Sequence, residues 1–198
     1  MFEKLKKKLT PVEISWILYD VGNSAFTMLA CSLIPIWFKA LAVGNGPGRI
    51  SSDDATGIWA LGVALVTVAV ALMGPVCGAL SDRRGARILF FRTSVFIGAG
   101  GCTLNGFAAG WLLFLIVFII TKIAYSCSLT FYDSMLNDIT TEKRMDEVSS
   151  YGYAWGYIGS CIPFVIALVF YVLGPDMAGI IPGFFSRLAG FAVTALWW

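Results

Sequence analysis

Gly78-Ala79-Leu80-Ser81-Asp82-Arg83-Arg84-Gly85-Ala86-Arg87 is a short charged run between two long apolar segments. Its three arginines stand where a chain leaving a bilayer would turn round and re-enter it. Lys and Arg concentrate in the cytoplasmic turns of membrane proteins, so this run fixes an expected orientation for everything on either side of it.

Working outward, 58% of the 198 residues are hydrophobic and only 13% are charged, and mean hydropathy is +0.80. A water-soluble domain has no use for so much apolar side chain, so the expected solvent is lipid and the expected fold is all-α and integral to a membrane. A spanning helix needs about 20 mostly apolar residues to cross a hydrocarbon core of roughly 30 Å. Five segments qualify, at 14–39, 57–80, 88–108, 111–136 and 148–173. A sixth, 184–198, is still apolar at Trp198. Fifteen residues at about 1.5 Å each reach only some 22 Å. Pro182, Gly183 and the Gly174-Pro175-Asp176 turn stop it from being extended backwards, which reads as a truncated sixth helix. The expected organisation is a basic cytoplasmic segment, 1–13, followed by a six-helix transmembrane half-domain, 14–198.

The charge pattern agrees with that topology. Lys4, Lys6, Lys7, Lys8, Arg83, Arg84, Arg87, Arg92, Lys143 and Arg144 fall on the expected cytoplasmic side, against Arg49 and Arg187 on the other. Ten to two places the N-terminus in the cytoplasm. The net charge of +2 therefore reflects topology and implies no nucleic-acid partner. Phe2, Leu5 and Leu9 share one side of the lysine-rich start, which suits either a short helix on an anionic membrane surface or a frayed basic tail. Ser52, Asp53 or Asp54 is placed to cap the second helix. There is no His, which removes the commonest metal ligand and general base, and no carboxylate pair has protease-like spacing; neither an enzyme nor a cofactor is expected. The five Cys (31, 77, 102, 127, 161) lie inside apolar segments without Cys-x-x-Cys spacing, so neither metal nor disulfide is expected.

Polar residues inside a membrane are costly unless they face other helices or a cavity. Lys122, Ser126, Thr130, Asp133 and Asn137 recur at intervals of 4, 4, 3 and 4, one stripe of the fourth helix. The first helix repeats the pattern with Asp20, Asn23 or Ser24, and Thr27. Lys122 reads either as a cation for an anionic solute group or as half of a fixed ion pair with Asp20. Asp20 reads alternatively as a proton carrier. In the fifth helix Gly152 and Gly156 have the small-x-x-x-small spacing of close helix packing, and Gly159 and Pro163 add a flexible or kinked region. Tyr153, Tyr157 and Ser160 form a narrower polar stripe beside them. Pro35 is placed to bend the first helix near its far end.

The run Gly78-x-x-x-Asp82-Arg83-x-Gly85-x-Arg87 resembles the signature loop of the major facilitator superfamily of secondary transporters. Ser15-Trp16-Ile17-Leu18-Tyr19-Asp20-Val21-Gly22-Asn23-Ser24-Ala25-Phe26, Phe131-Tyr132-Asp133 and Ser150-Tyr151-Gly152-Tyr153-Ala154-Trp155-Gly156-Tyr157-Ile158-Gly159 resemble its UMF-type branch, which includes yeast vacuolar amino-acid effluxers and bacterial relatives. The resemblance implies twelve helices in two six-helix halves around a midplane solute site, of which this chain matches the N-terminal half. It implies that helices 1 and 4 face the cavity while 3 and 6 stand outside, that Asp82 latches onto a helix of the other half, and that Arg83 and Arg87 serve an inner gate. Three departures stand out: Asp133 where the family usually has Asn, no Pro near Asn137, and a charge at Lys122.

The expected function is secondary active transport of a small solute by alternating access, with amino-acid efflux as the favoured form and a bacterial cytoplasmic membrane as the site. The expected partners are a small-molecule solute, the lipid bilayer, and either the missing C-terminal half or a second copy of the chain. The alternatives are a self-sufficient half-transporter working as a homodimer and a non-transporting membrane assembly protein. Candidate cavity residues are Asp20, Asn23, Ser24, Thr27, Lys122, Ser126, Thr130, Asp133 and Tyr157; candidate gating residues are Gly78, Asp82, Arg83, Gly85 and Arg87; candidate packing residues are Gly152, Gly156 and Gly159.

Overall fold

The first helix starts where its sequence supplies a cap. Thr10 Oγ1 accepts the Glu13 N–H at 3.3 Å and the Glu13 carboxylate accepts the Thr10 N–H at 2.7 Å, a reciprocal capping box that satisfies two otherwise unpaired donors. Pro11 occupies the first helical position, where no N–H is needed. The computed structural model describes residues 9–44, 48–83 and 85–198. Phe2, Leu5, Lys4, Lys6, Lys7, Lys8 and Arg84 lie outside the described residues; Leu9 is buried.

Helix α1 (Pro11–Cys31) is followed by α2 (Leu33–Val43) after a 41° break at Ser32. Pro35 is the physical cause: it has no N–H to offer the Cys31 carbonyl, and its ring crowds that same carbonyl. The expected bend is present, one turn ahead of the proline. Then come α3 (Ser52–Ser81), α4 (Ala86–Phe107), α5 (Trp111–Ile139), α6 (Glu142–Val172) and α7 (Gly183–Trp197). Pro163 lies inside α6 without interrupting it.

Two boundaries differ from expectation. The second span starts at Ser52 and not at 57, and its cap is Ser51, whose Oγ accepts the Asp54 N–H at 3.0 Å. Asp53 and Asp54 ride in the first turn, where the helix dipole favours acid. The stretch 137–147, expected as a loop, is helical except near Thr140 and Thr141. Its charged residues are good helix formers, and hydropathy marks where hydrocarbon ends and not where hydrogen bonding ends.

Four helices (α3, α4, α5 and α6) are long and apolar enough to cross a bilayer, and the bent pair α1 and α2 together makes a fifth. Helix α7, at the place of the expected sixth span, has 15 residues, too few to cross a core of roughly 30 Å. Helix α1 packs most extensively against α6, α4 against α5, and α3 against α5, while α7 fits between α4 and α6. The main core lies at the end of the bundle away from the 78–87 turn, where Phe38, Trp37, Phe114, Phe118 and Phe191 interlock. The opposite end has only small apolar clusters, around Ile17 and Val148 and around Cys77, Cys127 and Phe131. The outer faces are apolar: Leu61, Leu65, Val68, Leu72 and Val76 on α3 are all exposed, as a lipid-facing surface requires.

Candidate solute cavity and gating turn

Where the aromatic core ends, the bundle opens. A cavity of about 430 Å³ lies between α1, α5 and α6 and takes its walls from Asp20, Asn23, Ser24 and Thr27 of α1, Tyr125, Tyr132 and Asp133 of α5, and Tyr153 and Tyr157 of α6. The α1 stripe is therefore assembled on one wall as its spacing implied. Asn23 is buried and donates to the Asp20 carboxylate at 3.5 Å, and its own carbonyl accepts from the Tyr125 hydroxyl at 3.4 Å. Thr27 shares a hydrogen bond with the same hydroxyl.

The α5 stripe divides. Asp133 lines the cavity, but Lys122, Ser126 and Thr130 do not. The wall residues of α5 (125, 129, 132, 133 and 136) are centred roughly 75° round the helix from the stripe, at 100° per residue. Lys122 is held over aromatic faces, its Nζ 4.7 Å from the Tyr125 ring centre and 5.7 Å from that of Phe26. Between described residues, Arg87 pairs with Asp138 and Arg144 with Glu13; an Asp20–Lys122 pair is not among these. No Lys or Arg lines the cavity, so its two carboxylates give this wall a negative character.

Trp16 and Tyr132 were not singled out from the sequence, although both lie in stretches that carry the resemblance. Their rings stack at 4.3 Å and 10°. The Trp16 indole N–H donates to the Tyr132 carbonyl at 3.2 Å and the Tyr132 hydroxyl donates to the Trp16 carbonyl at 3.1 Å. This reciprocal clamp ties α1 to α5 and sets an aromatic face into the cavity. Opposite it, Gly152, Gly156 and Gly159 bring α6 against α1. A Cβ on Gly156 would stand 2.9 Å from Asp20 Oδ2 and 3.0 Å from Ser24 Oγ, and one on Gly152 would stand 2.8 Å from Trp16 Cζ3. The glycines thus let the Asp20 carboxylate lie directly on the α6 backbone.

The charged turn lies at the same end. Asp82 is the last residue in helical conformation after α3 and is exposed, as is Arg83. Gly85 has φ +90°, a conformation that favours glycine, and it lets α4 start at once. Gly78 sits on α3 with nothing within 4 Å of where its Cβ would be. Arg87 donates to the Ser134 carbonyl at 3.2 Å and pairs with Asp138, which joins the turn to the end of α5. Asp82, Arg87, Asn137 and Asp138 share a small polar pocket there. Glu13, 1% exposed, accepts from Thr140 at 2.7 Å and Arg144 at 3.2 Å, which ties the start of α1 to the α5–α6 junction. Glu13 precedes the apolar run that begins at Ile14. Burial by itself raises its carboxyl, but the Thr10 and Thr140 hydrogen bonds and the Arg144 charge outweigh that and hold it below its ordinary value.

A bent first span, further long apolar helices, charged turns at one end and a polar cavity below an aromatic core define an integral membrane protein. Compared with curated proteins, the chain is 34% identical, over an alignment of 199 residues, to the uncharacterized MFS-type transporter YxiO of Bacillus subtilis strain 168. The alignment covers 98% of this chain and 45% of that protein, so the chain spans about half the length of the relative it matches. The resemblance to the major facilitator class is thereby shown as homology to an MFS-type transporter along nearly the whole chain. No protein-family profile matches the chain, and no solved structure does.

Proposed function

We propose that this chain forms half of a secondary transporter of the UMF type, working by alternating access in a bacterial cytoplasmic membrane, with its N-terminus and the 78–87 turn in the cytoplasm. The observation that carries the reading is the cavity between α1, α5 and α6, which combines two carboxylates with five aromatic side chains, Trp16, Tyr125, Tyr132, Tyr153 and Tyr157. Such a wall suits the ammonium end of an amino-acid-like solute, which carboxylates neutralise and aromatic faces attract. Lys122, one turn before Tyr125 at the inner end of the cavity wall, is placed for a carboxylate end if α5 rotates. The opposite wall belongs to a second six-helix half, whether a further stretch of the same polypeptide or a second copy.

In this orientation the cavity opens to the cytoplasm while the aromatic core seals the far side. Asp82 extends beyond α3, free to meet a helix N-terminus of the other half, where the dipole stabilises a carboxylate. Arg87, held by Asp138, anchors the turn that presents it. The test is flux in proteoliposomes containing the full-length protein, against a panel of amino acids and amines. Uptake or efflux of any of them, reduced by Asp82→Asn without loss of insertion, supports the reading. A protein that moves nothing across the panel refutes it.

A further inference from the structure

Arg187 is a buried cation that the transport reading does not use. It lies in the first turns of α7, 7% exposed. Its Nη2 donates to the Ala108 carbonyl at 2.8 Å, its guanidinium lies 6.0 Å from the Phe184 ring, and its Nε has no hydrogen-bond partner. Neither the Arg87–Asp138 nor the Arg144–Glu13 pair involves it. A guanidinium taken out of water is costly without an anion, and a single carbonyl and a ring face at 6.0 Å are modest compensation.

The side chain lines a pocket of about 250 Å³ formed with Trp37 and Ala40 of α2, Tyr171 of α6, Asp176 of the following turn and Phe184. The N-terminus of the 15-residue helix α7 faces the same space. The Pro182 carbonyl takes the N–H groups of Phe185 and Ser186, which leaves those of Gly183 and Phe184 as the end donors. An adjoining pocket of about 440 Å³ shares Ala40, Tyr171 and Asp176 and adds Lys39. Ala108 lies in the tight turn between α4 and α5, two candidate spans, at the end opposite the 78–87 turn, which is where a membrane–water boundary is expected. Trp37 and Tyr171 belong at such a level, where amphipathic rings collect. Asp176 is the one carboxylate of the pocket and is exposed on its rim.

We propose that this pocket binds a phosphate group, carried by a phospholipid headgroup or free in solution, with Arg187 as the buried anchor, the α7 N-terminus beside it and Lys39 at the rim. Asp176 opposes the ligand and moderates its affinity. The site is separate from the solute cavity and is read out without transport.

The test uses the full-length protein in neutral detergent, with thermal unfolding followed by tryptophan fluorescence. Dilauroylphosphatidylglycerol, dilauroylglycerol and inorganic phosphate are the probes. The phosphate-bearing lipid raises the unfolding temperature, dilauroylglycerol does not, and Arg187→Gln weakens the apparent affinity by about tenfold or more, the weight of a charge-assisted hydrogen bond. A matching rise with inorganic phosphate assigns the site to the free ion; its absence assigns the site to lipid. Should Arg187→Gln fail to fold, Lys39→Gln must weaken and Asp176→Asn must strengthen the lipid response. Equal shifts with dilauroylglycerol, or responses unchanged in the variants, overturn the proposal.

Discussion

The contact between α1 and α6 is the most extensive in the bundle, and it narrows most at Gly159. A Cβ added there would overlap Val21 Cγ1 and stand 3.4 and 3.5 Å from Val21 Cβ and Cγ2. Carbon atoms sit comfortably at about 3.5–4.0 Å. Valine in a helix has one strongly preferred rotamer, so its methyl cannot swing aside. Gly159→Ala should then force the helices apart, an overpacking cost of about 1–3 kcal/mol. The alanine recovers about 1 kcal/mol of helix propensity, which leaves a net loss of up to about 2 kcal/mol. Val21→Ala alone should also destabilise, by the loss of two partly buried methyl groups. Combined, the new methyl takes the space the old one leaves, so the double variant should be more stable than the sum of the singles by about 1–3 kcal/mol. Equilibrium unfolding in mixed detergent, run as a double-mutant cycle, measures this directly. Additivity within about 0.5 kcal/mol would refute the claim that α1 and α6 touch through this pair.

Other perturbations probe the site. Asp20→Asn and Asp133→Asn should each lower the affinity for an amine-bearing solute, measured by solute-dependent protection in thermal unfolding, with Asp20 the stronger because it lies deeper against Gly156. Arg87→Gln and Asp138→Asn should show a coupling below about 1 kcal/mol, since the Asp138 side chain is 51% exposed; their larger effect should be on flux. Glu13→Gln should cost about 1–3 kcal/mol, because a buried acceptor of three hydrogen bonds loses its charge. The Glu13 carboxyl is held below its ordinary value, so its contribution is present above the ordinary carboxylate range. It is lost as pH falls through the lowered folded value. Stability of the parent should drop over that acid window, and the Glu13→Gln variant should lack that part of the drop.

The helices were legible because hydrocarbon demands apolar runs of a fixed length, and the α1 stripe because its polar residues turn to a single wall. The α5 stripe misled for a physical reason. Thr130 Oγ1 donates to the Ser126 carbonyl at 3.2 Å, and Ser128 and Ser134 likewise bond to their own helix. A hydroxyl satisfied by its own backbone does not require a polar neighbour, so its position says little about where water is. The cavity wall of α5 consists instead of Tyr125, Leu129, Tyr132 and Leu136 around Asp133, residues that read as ordinary apolar helix. The pairings of Arg87 with Asp138 and Glu13 with Arg144 join residues far apart in the chain, on segments expected as loops, and no local spacing announces them.

The break at Ser32 sets the end of the cavity wall in the first span. The residues that the first span gives to the cavity, from Trp16 to Met28, all lie before it; α2, after it, gives Leu33, Ile34, Trp37 and Phe38 to the aromatic core, which α1 shares through Phe26, Leu29 and Ala30. An unbroken rod would act as a lever, tilting its two ends in opposite directions at once. A jointed one lets the two parts tilt separately, so the proline at position 35 uncouples the orientation of the cavity wall from that of α2 on one stretch of backbone.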